Sequence, residues 1–150
     1  MATKLTACAV LLGCLSAAGC GISMRLPQDF LRLETDGDLR AVTGDDGRIW
    51  ARVFHDDNTA SLAFWSQALE HDLVDQRGYE RIARGEFDGR RGAAGVWLEC
   101  AANVRGERVG YLIALWVDGN DVRTVEFAAR ADVFAERIEA VRAALPTVRW

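Results

Sequence analysis

The run VGYLIALWV (residues 109–117) decides the fold. It is apolar at successive positions, without the polar alternation of a strand that shows one face to water, and such a strand is covered on both faces. The segments around it keep strand period: YERIARGEF (79–87) and GVWLECAANV (95–104) before it, VRTVEFAA (122–129) after it. Turn-rich DGRRGAAG (88–95), RGER (105–108) and DGND (118–121) separate them, so four consecutive strands form an antiparallel meander.

Two amphipathic helices supply the cover. NTASLAFWSQALEHDLVDQRG (58–78) places Leu62, Trp65, Leu69 and Leu73 at helical spacing, opens on Asn58 or Thr59 as cap and stops at Gly78. In ADVFAERIEAVRAALPTVRW (131–150), Phe134, Ile138, Val141 and Leu145 share one face and Pro146 ends the helix. Upstream, LRAVTGDDGRIWARVF (39–54) reads as a hairpin around a Gly-Asp-Asp-Gly turn, and MRLPQDFLRL (24–33) as a short strand ending at Pro27, a turn and an extended segment. The expected fold is α+β: an α/β/α sandwich whose largely antiparallel sheet is flanked by two main helices.

The amino terminus stands apart from this domain. Lys4 precedes the apolar run Ala7–Leu15, and Ser16-Ala17-Ala18-Gly19 follows. That is the order of a secretory signal peptide, and the run falls well short of the ~18–20 residues that span a bilayer. The segment resembles a bacterial lipoprotein precursor, in which small residues precede a lipidated cysteine. Cys14, after Leu11-Leu12-Gly13, has the better residue pattern but leaves too short an apolar region, so Cys20 is the expected lipidation site and Cys14 the alternative. The expected organisation is a signal peptide over 1–19, a short tether over 20–25 and one domain over 26–150. Gly21, rather than Asp, after Cys20 favours the outer over the inner membrane by analogy with lipoprotein sorting in enteric bacteria.

Cleavage before Cys20 leaves Cys20 and Cys100 alone, which excludes an internal disulfide framework. Cys100 sits within an apolar strand and reads as a buried, inert thiol. Removal of Lys4 leaves 17 arginines against 22 acidic residues, a balance that argues against nucleic acid or a polybasic membrane patch as partner.

The order of elements resembles the Mog1/PsbP-like proteins, including bacterial DcrB-type lipoproteins. The likeness rests on LPQDF (26–30), RGYE (77–80), FDGRRGAAG (87–95) and ADVFAERIEAVRAAL (131–145). It implies a non-catalytic accessory or assembly role without naming a partner; an envelope protein is the expected partner, and no cofactor is expected. A carboxylate-dependent envelope enzyme and a purely structural lipoprotein are the alternatives.

Motifs for chemistry are sparse. His55, Asp56, Asp57 and Asn58 with His71 and Asp72 offer metal-ligand types, yet a regular helix puts the two histidines ~24 Å apart. Arg90 and Arg91 in the glycine-rich turn lack a phosphate-loop pattern, and Ser61 and Ser66 lack a nucleophile elbow. The remaining candidate is a mixed sheet face. A turn centred on Gly106 sets Glu99 opposite Ile113, and one centred between Gly119 and Asn120 sets Ile113 opposite Glu126. Trp97, Glu99, Tyr111 and Glu126 would then line one groove, the two carboxylates ~9–10 Å apart.

Overall fold

The computed structural model describes residues 21–150. The expected signal peptide, Cys14 and Cys20 lie outside the described residues. Seven strands form one sheet: β1 (Leu31–Leu33), β2 (Leu39–Val42), β3 (Arg48–His55), β4 (Glu80–Asp88), β5 (Ala94–Val104), β6 (Glu107–Asp118) and β7 (Asp121–Arg130). Their order is β1-β2-β3-β7-β6-β5-β4, with every pair antiparallel. Helix α1 (Leu62–Glu70) crosses one face and carries the chain from β3 to the far edge at β4, while α2 (Ala131–Ala144) packs on the other face.

The main core lies under α2. Successive side chains of a strand point to opposite faces, so Leu39 and Ala41, Ile49 and Ala51, Val125 and Phe127, and Leu112 and Ala114 come together with Val133, Phe134, Ile138 and Val141 of α2. Phe127 stacks on Phe134, centroids 5.0 Å apart and planes at 9°. Gly110 makes room for that ring: a Cβ there would stand 2.2 Å from Phe134. A smaller core under α1 joins Leu73, Leu98, Cys100 and Ile113. Strand β6 serves both cores, which accounts for the unbroken apolar run that defined it.

Helix α1 starts later than its sequence indicates. Ser61 is the cap, its Oγ accepting from the Phe64 amide, and neither Asn58 nor Thr59 takes that role. Asp56 organises the turn before it, accepting from the amides of Asn58 and Ala60 at 2.9 Å each and from the Trp65 indole at 3.1 Å. A carboxylate in a loop thus satisfies the helix approach more fully than the expected cap could. The helix runs on into a π-helical segment, His71–Gln76, and ends at Gly78 with φ +69°. Glu70 fastens it to β4 through Arg81 and, at 3.0 Å, Arg84. Upstream, residues 24–26 form no strand; Ser23 instead makes a single antiparallel bridge with Arg149.

The hydrogen bonds from the Ala60 and Asn58 amides hold the Asp56 carboxyl below the usual carboxylate range. A depressed folded value gives stability that is present above the unfolded value of ~3.9 and is lost as pH falls through the folded value. Asp56→Asn should therefore lower stability at pH 7 and flatten its acid decline below pH 4. Chemical denaturation at pH 7 and pH 3 checks both: a wild-type slope in the variant would show that this carboxyl is not the titrating group.

Candidate binding site on the open half of the sheet

Register determines which side chains meet. The turn between β6 and β7 lies where the sequence places it, with Asp118 opposite Asp121 and Ile113 opposite Glu126. The turn between β5 and β6 does not. Arg105 and Gly106 both have positive φ, 52° and 87°, and Val104 pairs with Glu107. This two-residue loop, as in a type I′ hairpin, centres half a residue before Gly106, so Leu98 rather than Glu99 faces Ile113. A slip of one residue exchanges the faces of a strand.

The expected groove of Trp97, Glu99, Tyr111 and Glu126 is therefore corrected. Trp97 and Glu99 lie on the α2 side. There the Glu99 carboxylate meets Arg142 at 3.0 Å, and the Arg142 guanidinium lies 4.6 Å from the Trp97 ring centre. Tyr111 and Glu126 lie on the α1 side. The sheet stands between the two carboxylates, and they make no catalytic pair.

Around Tyr111 and Glu126 the structure assembles a different site. Helix α1 lies over β5 and β6 and reaches β3 where Trp65 meets Phe54 edge to face at 5.5 Å, leaving β2 and the parts of β3 and β7 around Trp50 and Ala128 open on this face. One row across the sheet reads Arg40, Trp50, Glu126, Ile113, Leu98; the next reads Val42, Arg48, Ala128, Tyr111, Cys100. The Trp50 ring lies between two guanidinium groups, Arg40 at 4.7 Å and Arg52 at 4.1 Å. Its indole N–H donates to Asp38 at 2.9 Å. Arg52 bridges to Glu126 at 2.8 Å, and the Tyr111 hydroxyl donates to the other Glu126 oxygen at 2.9 Å. Burial first, then the Glu126 charge, pushes the Tyr111 phenol above the usual tyrosine range, so it remains a donor.

Arg40, Val42, Arg48, Trp50, Tyr111 and Glu126 line an open groove of about 730 Å³. Beyond Arg52 lies a smaller cavity of about 280 Å³ under α1, lined by Phe54, Trp65, Leu69, Ile113 and Leu115. The Thr124 hydroxyl and Arg52 Nε beside it are buried without a hydrogen-bond partner. The groove can hold a ligand that combines an acidic group for Arg40 with a flat or apolar part for Trp50, while Arg48 beside it is paired with Asp46 at 2.6 Å.

Arg40, Trp50 and Arg52 escaped the sequence reading. Alternation in the hairpin carries the missing signal: Leu39, Ala41, Ile49 and Ala51 form one face, so Trp50 shares the other with Arg40, Arg48 and Arg52.

The other candidates stay apart. His55 sits near Asp57 and Asp121 at 3.3 and 3.4 Å, whereas His71 pairs with Asp75 at 2.7 Å. Among the described residues no three His, Cys, Asp or Glu side chains converge to hold a metal ion. Ser66 is buried and accepts from Arg84 at 2.8 Å. Cys100 is buried as expected, and desolvation, with the charges of Glu70 and Glu99, pushes its thiol up to about 11, which suppresses the reactive thiolate at neutral pH.

No protein family and no curated protein matches this chain in sequence. Solved structures match it in shape. LpqN of Mycobacterium tuberculosis, a protein involved in cell envelope biogenesis, superposes with a TM-score of 0.66 at 15% identity, over 85% of this chain and 81% of LpqN. The PsbP protein of the cyanobacterium Synechocystis gives 0.59 at 10% identity, over 93% and 98% of the two chains. The Ran-binding protein Mog1p of Saccharomyces cerevisiae gives 0.56 at 12%, over 83% and 80%. The fold is that of the Mog1 and PsbP proteins. As the sequence resemblance implied, the domain is an antiparallel sheet between two helices. At these identities the likeness is one of fold, and the groove of Arg40, Trp50 and Glu126 is described from this chain alone.

Proposed function

We propose that this protein is an exported, lipid-anchored factor of the cell envelope that works by binding, as an accessory or assembly component, through the open half of its sheet. The observation that carries the reading is the half-buried Trp50, held between Arg40 and Arg52 at the mouth of an uncovered groove. Tryptophan, tyrosine and arginine are the side chains that dominate binding hot spots. The signal-like amino terminus with Cys20, and the fold shared with an envelope-biogenesis protein, support the location. Among the described residues no helix is long and apolar enough to cross a membrane, so attachment would fall to the cysteine. The separation of Glu99 from Glu126 removes the pair on which the carboxylate enzyme rested, which supports a non-catalytic role.

Two measurements test this reading. Intact mass of the detergent-extracted protein should give a chain beginning at Cys20 with acyl mass added; each buried methylene contributes ~0.8 kcal/mol to anchoring. An unmodified chain with another start would contradict the anchor. Trp50→Ala with Arg40→Glu should weaken capture of an envelope partner from solubilised membranes at least tenfold, while Glu99→Gln leaves capture unchanged. Equal capture by all variants would favour a purely structural lipoprotein.

A further inference from the structure

A second cavity, of about 610 Å³, opens at the other end of the molecule, between the glycine-rich turn after β4 and the carboxyl-terminal segment. Arg90, Arg91, Arg123 and Arg149 line it, with Asp118 as the one acidic residue, on a chain whose net charge is −4. Arg123 is held by Asp118 at 2.9 Å and approaches Asp121 at 4.0 Å, and its buried Nε has no partner. Arg90, Arg91 and Arg149 make no ion pair among the described residues, so three guanidinium groups converge with their charge unspent. The wall is aromatic: Trp116 and Trp150 meet edge to face at 5.4 Å. Planar guanidinium donors around a rigid wall suit the oxygens of a phosphate.

The position of this cavity bears on where such a phosphate would come from. Ser23 and Arg149 exchange backbone hydrogen bonds at 2.9 and 2.7 Å, and the Arg25 amide donates to Thr147 at 3.0 Å. The amino-terminal segment therefore runs antiparallel to the tail and pairs at Arg149, which lines the cavity. Residue 20 is three peptide units from Ser23, a reach of at most ~11 Å. If Cys20 is acylated, this end is held within the headgroup layer, where tryptophan and arginine are the favoured side chains.

We propose that the arginine-lined cavity is a phosphate site that seats the anionic headgroup of a lipid next to the protein's own anchor. The headgroup assignment rests on the lipid-anchored reading above; the phosphate chemistry does not. Each arginine near an anionic surface contributes about a fivefold gain in affinity, so removing three should cost about a hundredfold.

The test uses the full chain in nanodiscs of phosphatidylcholine, with and without phosphatidylglycerol, and in detergent with inorganic phosphate. Amide hydrogen exchange at residues 88–94 and 147–150 is the readout. Phosphatidylglycerol should slow exchange in both segments, and Arg90→Ala/Arg91→Ala/Arg149→Ala should abolish the effect without altering exchange in β6. Protection by inorganic phosphate with none from phosphatidylglycerol would overturn the headgroup assignment and leave a site for a soluble phosphate compound. No protection by either would overturn the site itself. Intact mass reads the anchor separately: an unacylated chain that phosphate still protects loses the anchor alone, and an acylated chain with neither segment protected loses the site alone.

Discussion

Phe127→Ala is expected to cost about 3–5 kcal/mol of stability, the range for an aromatic ring removed from a closed core. Phe127 is fully buried, stacks on Phe134 of α2 and meets Phe30 edge to face at 5.9 Å. Its neighbours cannot collapse freely into the gap. Gly110 already gives way to the Phe134 ring, and Ile49 and Leu112, its cross-strand neighbours, are fixed by the ladder. For a domain of this size the loss corresponds to a fall in Tm on the order of 10–20 °C. Chemical and thermal denaturation check it. A loss below ~1 kcal/mol would mean that α2 is not seated on β7 as described.

The second large effect concerns Arg142. This side chain neutralises Glu99, covers the Trp97 ring and also reaches Glu139 at 2.9 Å. Glu99 is only 12% exposed in its side chain. Arg142→Ala would leave that carboxylate shielded from water without its cation. The expected cost is about 1–3 kcal/mol, below the range for a fully buried pair because Arg142 itself is partly solvated. Glu99→Gln should cost less, since the amide keeps an oxygen to accept from Arg142. A double-mutant cycle between the two should return a coupling of about 1–2 kcal/mol. The register makes this decisive: with the turn centred on Gly106, Glu99 would lie on the other face, far from Arg142, and the coupling would vanish.

That turn shows how far the sequence could be read. Helix α2 and the meander strands were legible because their apolar periods are unambiguous: Phe134, Ile138 and Val141 on α2, with Leu145 just past its end, and the continuous run of β6. The turn after β6 was legible too, since Gly119, with φ +61°, sits at the first central position of a two-residue loop. The turn before it contains one glycine, and the left-handed conformation of Arg105 beside it is uncommon for such a residue. Nothing in RGER distinguishes a loop centred on Gly106 from one centred half a residue earlier, yet the choice moves Glu99 and Trp97 through the sheet. The groove was hidden for another reason. Whether Trp50 faces core or water depends on how far α1 extends across the sheet, and that is set by the long crossing from β3 to β4 rather than by the residues around Trp50.

Site-specific photo-crosslinking in cells that make the protein tests the central claim, that the open half of the sheet is the binding surface, most directly. A photoreactive side chain would replace Val42 or Arg48 in the groove or, in separate strains, Glu136 or Ala140 on the outer surface of α2. Discrete adducts of one mass from both groove positions and none from α2 are the predicted result. Adducts from α2 alone, or equal diffuse labelling from all four positions, would contradict it.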